Sequence, residues 1–239
     1  MALAAVVALA TLAPRADANL IDQGTYRIYL NGRSMGSEIF YFDQFADSLV
    51  VQSAVRQIIR LPNGSEDSLK KSCMLSVGAF DLDMRFYQSV QVFQGEKIAR
   101  SFVMLDTSFS SYREINDRGN VDVLPRPPGR LYLHDPDLYV LFDVIARSLS
   151  TQEFDTRPIT LMVLGPSDTT LEVRATRLPA APKKWGSRTL QARSIALEDG
   201  VNRVVLWCDS RGRMFELEIP AVGLRVVRDA PPVNPRRGG

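Results

Sequence analysis

A chain of 239 residues with 45% hydrophobic and 23% charged side chains can bury a core without help and is too apolar for bulk disorder. Its net charge of +2 is too mild to imply a nucleic-acid partner. One histidine and two distant cysteines exclude a multi-histidine centre and a zinc-type cysteine cluster within one chain. No phosphate-loop or dinucleotide glycine signature occurs, so no cofactor and no metal are expected.

Residues 1–18, "MALAAVVALATLAPRADA", carry an apolar run, then Pro14 and an Ala16-Asp17-Ala18 cleavage pattern. They read as a secretory signal peptide. The run is shorter than the roughly 18 residues that span a bilayer. The mature chain is therefore expected to begin at Asn19, without a transmembrane anchor, in the periplasm or secreted medium.

Candidate strands follow at 25–30, 35–42, 48–60, 67–77, 81–93 and 97–105, broken by the turn formers Asn31-Gly32, Pro62-Asn63-Gly64-Ser65, Gly78 and Gln94-Gly95-Glu96. In 81–93, Leu82, Met84, Phe86, Val90 and Val92 alternate with Asp81, Asp83, Arg85, Ser89 and Gln91. Asp81 and Asp83 then belong to a solvated outer face. Strands this long must twist and coil, which disfavours a flat sheet. Two stretches break the alternation, Ile39-Phe40-Tyr41-Phe42 and Phe102-Val103-Met104-Leu105. Both of their faces are apolar, so something must cover the second face.

The segment "VLPRPPGRLYLHDPD" holds four prolines and reads as a connection. It leads to a helix at about 137–149, with Asp135 as N-cap and Pro136 at the first helical position. Leu138, Leu141, Phe142, Ile145 and Leu149 form an apolar stripe, and Asp143 and Arg147 can pair on the outside. His134, at the mouth of the helix, reads as exposed or cap-adjacent and not as half of a catalytic triad, since no nucleophile-elbow motif is present.

Further strands are expected at 159–164, 170–178, 189–197, 201–209, 213–219 and 224–227, with a late hairpin turned by Ser210-Arg211-Gly212. Lys183 and Lys184 beside Trp185 read either as a solvated loop or as a contact for anionic headgroups at a membrane surface. Residues 229–239 read as a disordered tail. Export makes a disulfide between Cys73 and Cys208 possible, the other reading being two independent buried thiols. The whole predicts one all-β domain, 19–228, with one main helix. Its sheet is antiparallel and strongly curved, a half-barrel or open barrel enclosing the helix.

The order of these features resembles a group of exported bacterial domains of unknown function. The residues that carry this are Gly24, Tyr26, Ile28, Leu30, Gly32, Gly36 and Glu38 at the start, the single helix, and the late "LWCDSRGRMFELEIP" hairpin. That architecture in turn looks like the half-barrel of periplasmic lipoprotein carriers, which implies handling of an apolar molecule in the cell envelope. The resemblance supplies no catalytic residues.

The expected function is non-catalytic: binding or carriage of a lipid or acyl chain. Candidate lining residues are Phe40, Phe42, Phe102, Met104, Leu138, Leu141, Phe142 and Ile145, which are otherwise ordinary core. The alternative is a structural or assembly factor that uses its sheet edge or tail to contact another envelope protein.

Overall fold

Asn31 and Gly32 both adopt positive φ, 51° and 78°, the pair that turns a two-residue hairpin with the right twist. They join β1 (Asn19–Leu30) to β2 (Arg33–Gln44). The computed structural model describes residues 18–185 and 187–230. From β2 an antiparallel meander continues through β3 (Ser48–Arg60), β4 (Glu66–Gly78), β5 (Met84–Phe93), β6 (Glu96–Met104), β7 (Ser108–Ile115) and β8 (Arg118–Pro125). The chain then crosses to β9 (Leu131–His134), passes through α1 (Val140–Ser150) and returns as β10 (Thr156–Val163), parallel to β9. A second antiparallel run follows: β11 (Thr169–Trp185), β12 (Arg188–Glu198), β13 (Arg203–Cys208), β14 (Met214–Ile219) and β15 (Leu224–Arg228).

Because β15 pairs with β1, all fifteen strands form one sheet with β8 at one edge and β9 at the other. The sheet is open, not closed, and it rolls so that the β9 edge is tucked inside. Leu131, Tyr132 and Leu133 are all buried, which an edge strand achieves only when both faces are covered. Asp135, just after β9, accepts hydrogen bonds from Lys71, Tyr87 and Ser89 on the inner faces of β4 and β5. Arg100 of β6 reaches Asp168 (2.6 Å) and the Gly165 carbonyl in the loop after β10. The other edge overhangs, with all eight residues of β8 exposed.

The roll encloses α1. Nine of the eleven helix residues are buried, Asp143 among them. The expected pair of Asp143 and Arg147 forms (3.0 Å), but inside the roll and not on an outer face. The helix also starts later than expected. Asp137 takes a φ of 70°, and Asp135 gives its carboxylate to Lys71 and Tyr87 instead of capping.

Further expectations are corrected. A register shift at Ser76/Val77 puts a bulge at the start of β5, where Arg85 is the extra residue between Met84 and Phe86. Past a bulge the parity of a strand reverses, so Tyr87 and Ser89 point inward while Val92 is exposed. Asp81 and Asp83 lie before β5 in the turn, where Asp83 pairs with Arg130 (2.6 Å). β7 and most of β8 fall in 106–122, where no element is expected from the sequence, and β9 falls within the proline-rich segment read as a connection. The segment holding Lys183, Lys184 and Trp185 is strand, because a register shift between Leu178 and Ala181 accommodates Pro179. The tail begins later than 229, since the Asp229 amide donates to Thr25 O (2.8 Å) and its carboxylate accepts from Arg27. The remaining tail, 231–239, and the signal segment up to residue 17 lie outside the described residues.

Candidate functional site

The predicted apolar set comes together with α1 in one buried cluster. Phe40, Phe42 and Phe102 point inward and, like Leu138, Leu141, Phe142 and Ile145, are buried; Met104 is half-buried against the same cluster. Tyr26 stacks on Phe40 at 4.5 Å, Phe40 meets Phe42 edge-on at 5.9 Å, and Phe102 lies 6.0 Å from Phe109. The Arg147 guanidinium covers the Phe42 ring at 4.0 Å. The outward partners Ile39, Tyr41, Val103 and Leu105 are exposed. The second face of the greasy stretches therefore meets solvent.

Three buried polar groups fasten the helix inside the roll. At its start, Glu38 of β2 accepts the Tyr139 and Val140 amides on Oε2 (2.8 and 3.1 Å) and the Ser53 hydroxyl on Oε1 (2.7 Å). A carboxyl group from another strand thus satisfies orphan amides of the helix N-terminus. Burial pushes the Glu38 acid up to about 8, against the pull of its three donors. Beside it, Lys71 pairs with Asp135 and also donates to Pro136 O (2.8 Å).

The third group lies further along α1. Asp143 accepts from Tyr26 Oη, the Met214 amide and Arg147, binding helix to β1 and β14. Arg147 and Arg228 converge on Asp22, the latter with both terminal nitrogens (2.6 and 3.1 Å). Burial pushes the Asp22 acid up, but the two guanidiniums outweigh it and hold it below the usual carboxylate range.

Cys73 and Cys208 are both free and buried, so the disulfide is not formed. Both belong to the same apolar core but border different polar groups: Cys73 Sγ lies 3.4 Å from Ser53 Oγ near the helix start, while the charges that act on Cys208 are those of Asp143, Asp209 and Arg147. Burial pushes the Cys73 thiol up to about 12 and Cys208 well above its ordinary value, leaving both as protonated, inert thiols. His134 is part-buried beside the Phe142 ring (5.2 Å), and burial holds its pKa down. Trp185 is no surface anchor. It is buried, stacks on Phe215 at 5.0 Å and donates Nε1–H to Arg228 O (2.9 Å). Lys183 is drawn to Glu216 and Glu218, and Lys184 alone of the three remains exposed.

Open space lies at the mouth of the roll instead. One cavity of ≈ 680 Å³ sits where the chain crosses from β8 to β9, between Arg126, Arg130, Tyr132 and Arg157. A second of ≈ 980 Å³ lies under the overhanging β7 and β8, against the loop holding Pro166, Ser167 and Asp168. Sequence reasoning passed over the charged residues of both the mouth and the interior. For Lys71 and Glu38 a signal existed, since Leu69, Lys71, Cys73 and Leu75 share one parity, as do Glu38, Phe40 and Phe42.

These features define an open, β-barrel-like domain rolled around a buried helix. The chain is similar to the crystal structure of a β-barrel-like protein of the domain of unknown function DUF1849 from Brucella abortus, with a TM-score of 0.57 at 8% identity. The match covers 88% of this chain and 96% of that one, and it bears on the fold alone. No family model matches the sequence, and no curated protein matches it. No described helix is long and apolar enough to cross a membrane.

Proposed function

We propose that the chain is a non-catalytic exported envelope protein, a structural or assembly factor that engages a strand of another envelope protein along its free sheet edge. The observation that carries this reading is β8. Its outer backbone edge is unpaired within the sheet, and Val121 and Val123 are 57% and 67% exposed. Val103 extends the same outer face two strands inward, aligned through Ser110 with Val123. A strand edge with apolar side chains is a template for strand addition. The export part of the reading rests on the apolar N-terminal segment with its Ala-x-Ala pattern.

Carriage of a lipid or acyl chain is the second reading, favoured by the convergence of the strand residues Phe40, Phe42, Phe102 and Met104 with the apolar side chains of α1 in one cluster. It requires the helix to leave, because the helix already occupies that space.

A photo-crosslinking side chain at Val123, with a control at the exposed Phe80, separates the readings when combined with native mass spectrometry. The edge reading expects a discrete protein adduct from position 123 only, lost on Val121→Lys. A co-purifying lipid with no adduct favours carriage.

A further inference from the structure

Between the two sheet edges the chain runs through Arg126-Pro127-Pro128-Gly129-Arg130, and the ≈ 680 Å³ cavity beside this crossing collects three guanidiniums. Arg130 is already committed: its Nε donates to Asp83 (2.6 Å) and its Nη1 to Ser148 Oγ (2.6 Å). Arg126 comes only within 3.9 Å of that same Asp83. Arg157 donates to the neutral side-chain oxygen of Gln152 and forms no ion pair among the described residues. The remaining lining carboxylate is Asp106, which leaves three cations against two anions. Two planar, permanently charged forks thus face one space without a carboxylate of their own at hydrogen-bonding distance.

We infer that this cavity binds a small organic anion through a phosphate group, with Arg126 and Arg157 as the two forks. Guanidinium matches an oxyanion in paired, charge-assisted hydrogen bonds. Pro127 and Pro128, also in the lining, give the cavity apolar surface for the organic part. The volume lies within the roughly 300–1,000 Å³ of small-molecule sites, larger than a lone ion needs. The same chemistry fits a soluble phosphate ester and a phospholipid headgroup.

Calorimetry of the full chain at low ionic strength with glycerol phosphate, and co-sedimentation with phosphatidylglycerol or phosphatidylcholine vesicles, test the site. Glycerol phosphate is expected to bind, at least tenfold more weakly to Arg126→Gln/Arg157→Gln, and with unchanged affinity to the charge-matched control Lys70→Gln/Lys97→Gln, two exposed lysines outside the cavity lining. Vesicle binding that needs phosphatidylglycerol and both arginines assigns a lipid headgroup, and binding of the soluble ester alone assigns a free ligand. The inference is overturned if neither probe binds the native chain, if binding survives the double arginine substitution, or if the lysine control loses as much. Circular dichroism melts of each variant identify a loss that comes from unfolding. Crosslinking from Val123 is independent of either outcome.

Discussion

Glu38 stands where most helices carry their own Ser, Thr, Asp or Asn, and its chemistry makes a sharp prediction. Its Oε2 takes both helix amides, so the neutral acid can keep them and donate from Oε1 to Ser53. Glu38→Gln preserves that pattern and is expected to hold stability at pH 5 within about 1 kcal/mol. Glu38→Ala strands the amides and should cost roughly 3 kcal/mol. Raised to about 8 from 4.5, the Glu38 acid keeps its proton in the folded chain where the unfolded chain has lost it. Its contribution is therefore whole below pH 4.5 and fades as pH rises through 8, by at most about 1.4 kcal/mol per pH unit. Urea denaturation between pH 5 and 8 should show this slope in the native chain and a flatter one in Glu38→Gln. Lys71→Met leaves Asp135 buried beside hydroxyls but no cation and should cost roughly 3–5 kcal/mol. Adding Asp135→Asn should return a large part, measurable as a double-mutant cycle. Both residues were legible by strand parity, but a charge on the inner face contradicts the ordinary rule that apolar residues go inside.

At the scale of elements, the β13–β14 hairpin turn and the end of α1 touch through Gly212. Its φ is +78°, and a Cβ there would stand 2.6 Å from the Ser150 Cβ. Gly64 has a similar φ, +85°, with nothing within 4 Å. Gly64→Ala should therefore cost only the left-handed penalty, about 1 kcal/mol, and Gly212→Ala roughly 3 kcal/mol or more, read from chemical denaturation. Turns such as Asn31-Gly32 and Ser210-Arg211-Gly212 were plain in the sequence because local chemistry sets them. The inner face of β5 was not, since a bulge depends on the partner strand. Nor was β8, whose Pro125 looks like a breaker but sits harmlessly at the end of an edge strand. The helix was recognised by its period, while its burial on all sides depends on the strands wrapped around it.

For the whole molecule, the curved sheet around one helix was foreseeable, whereas the inward tuck of β9 and the polar groups buried in the interior around the helix arise from contacts between distant segments. Both thiols lie in that interior, so a thiol reagent should label neither Cys73 nor Cys208 in the native chain and both in urea, with no intermediate step if the roll opens as a unit. The two halves of the sheet meet at β1 and β15, so the first and last strands run side by side at its middle. The margins, by contrast, belong to the centre of the sequence. A gene encoding such a ribbon can widen it by accepting extra hairpins within codons 126–130, leaving every existing strand pairing untouched. Arg228 stands opposite Tyr26, seven residues up β1 from Asn19, so severing the backbone there and joining Arg228 to Asn19 through a tether long enough to span about 23 Å should likewise yield a permuted protein of the same shape.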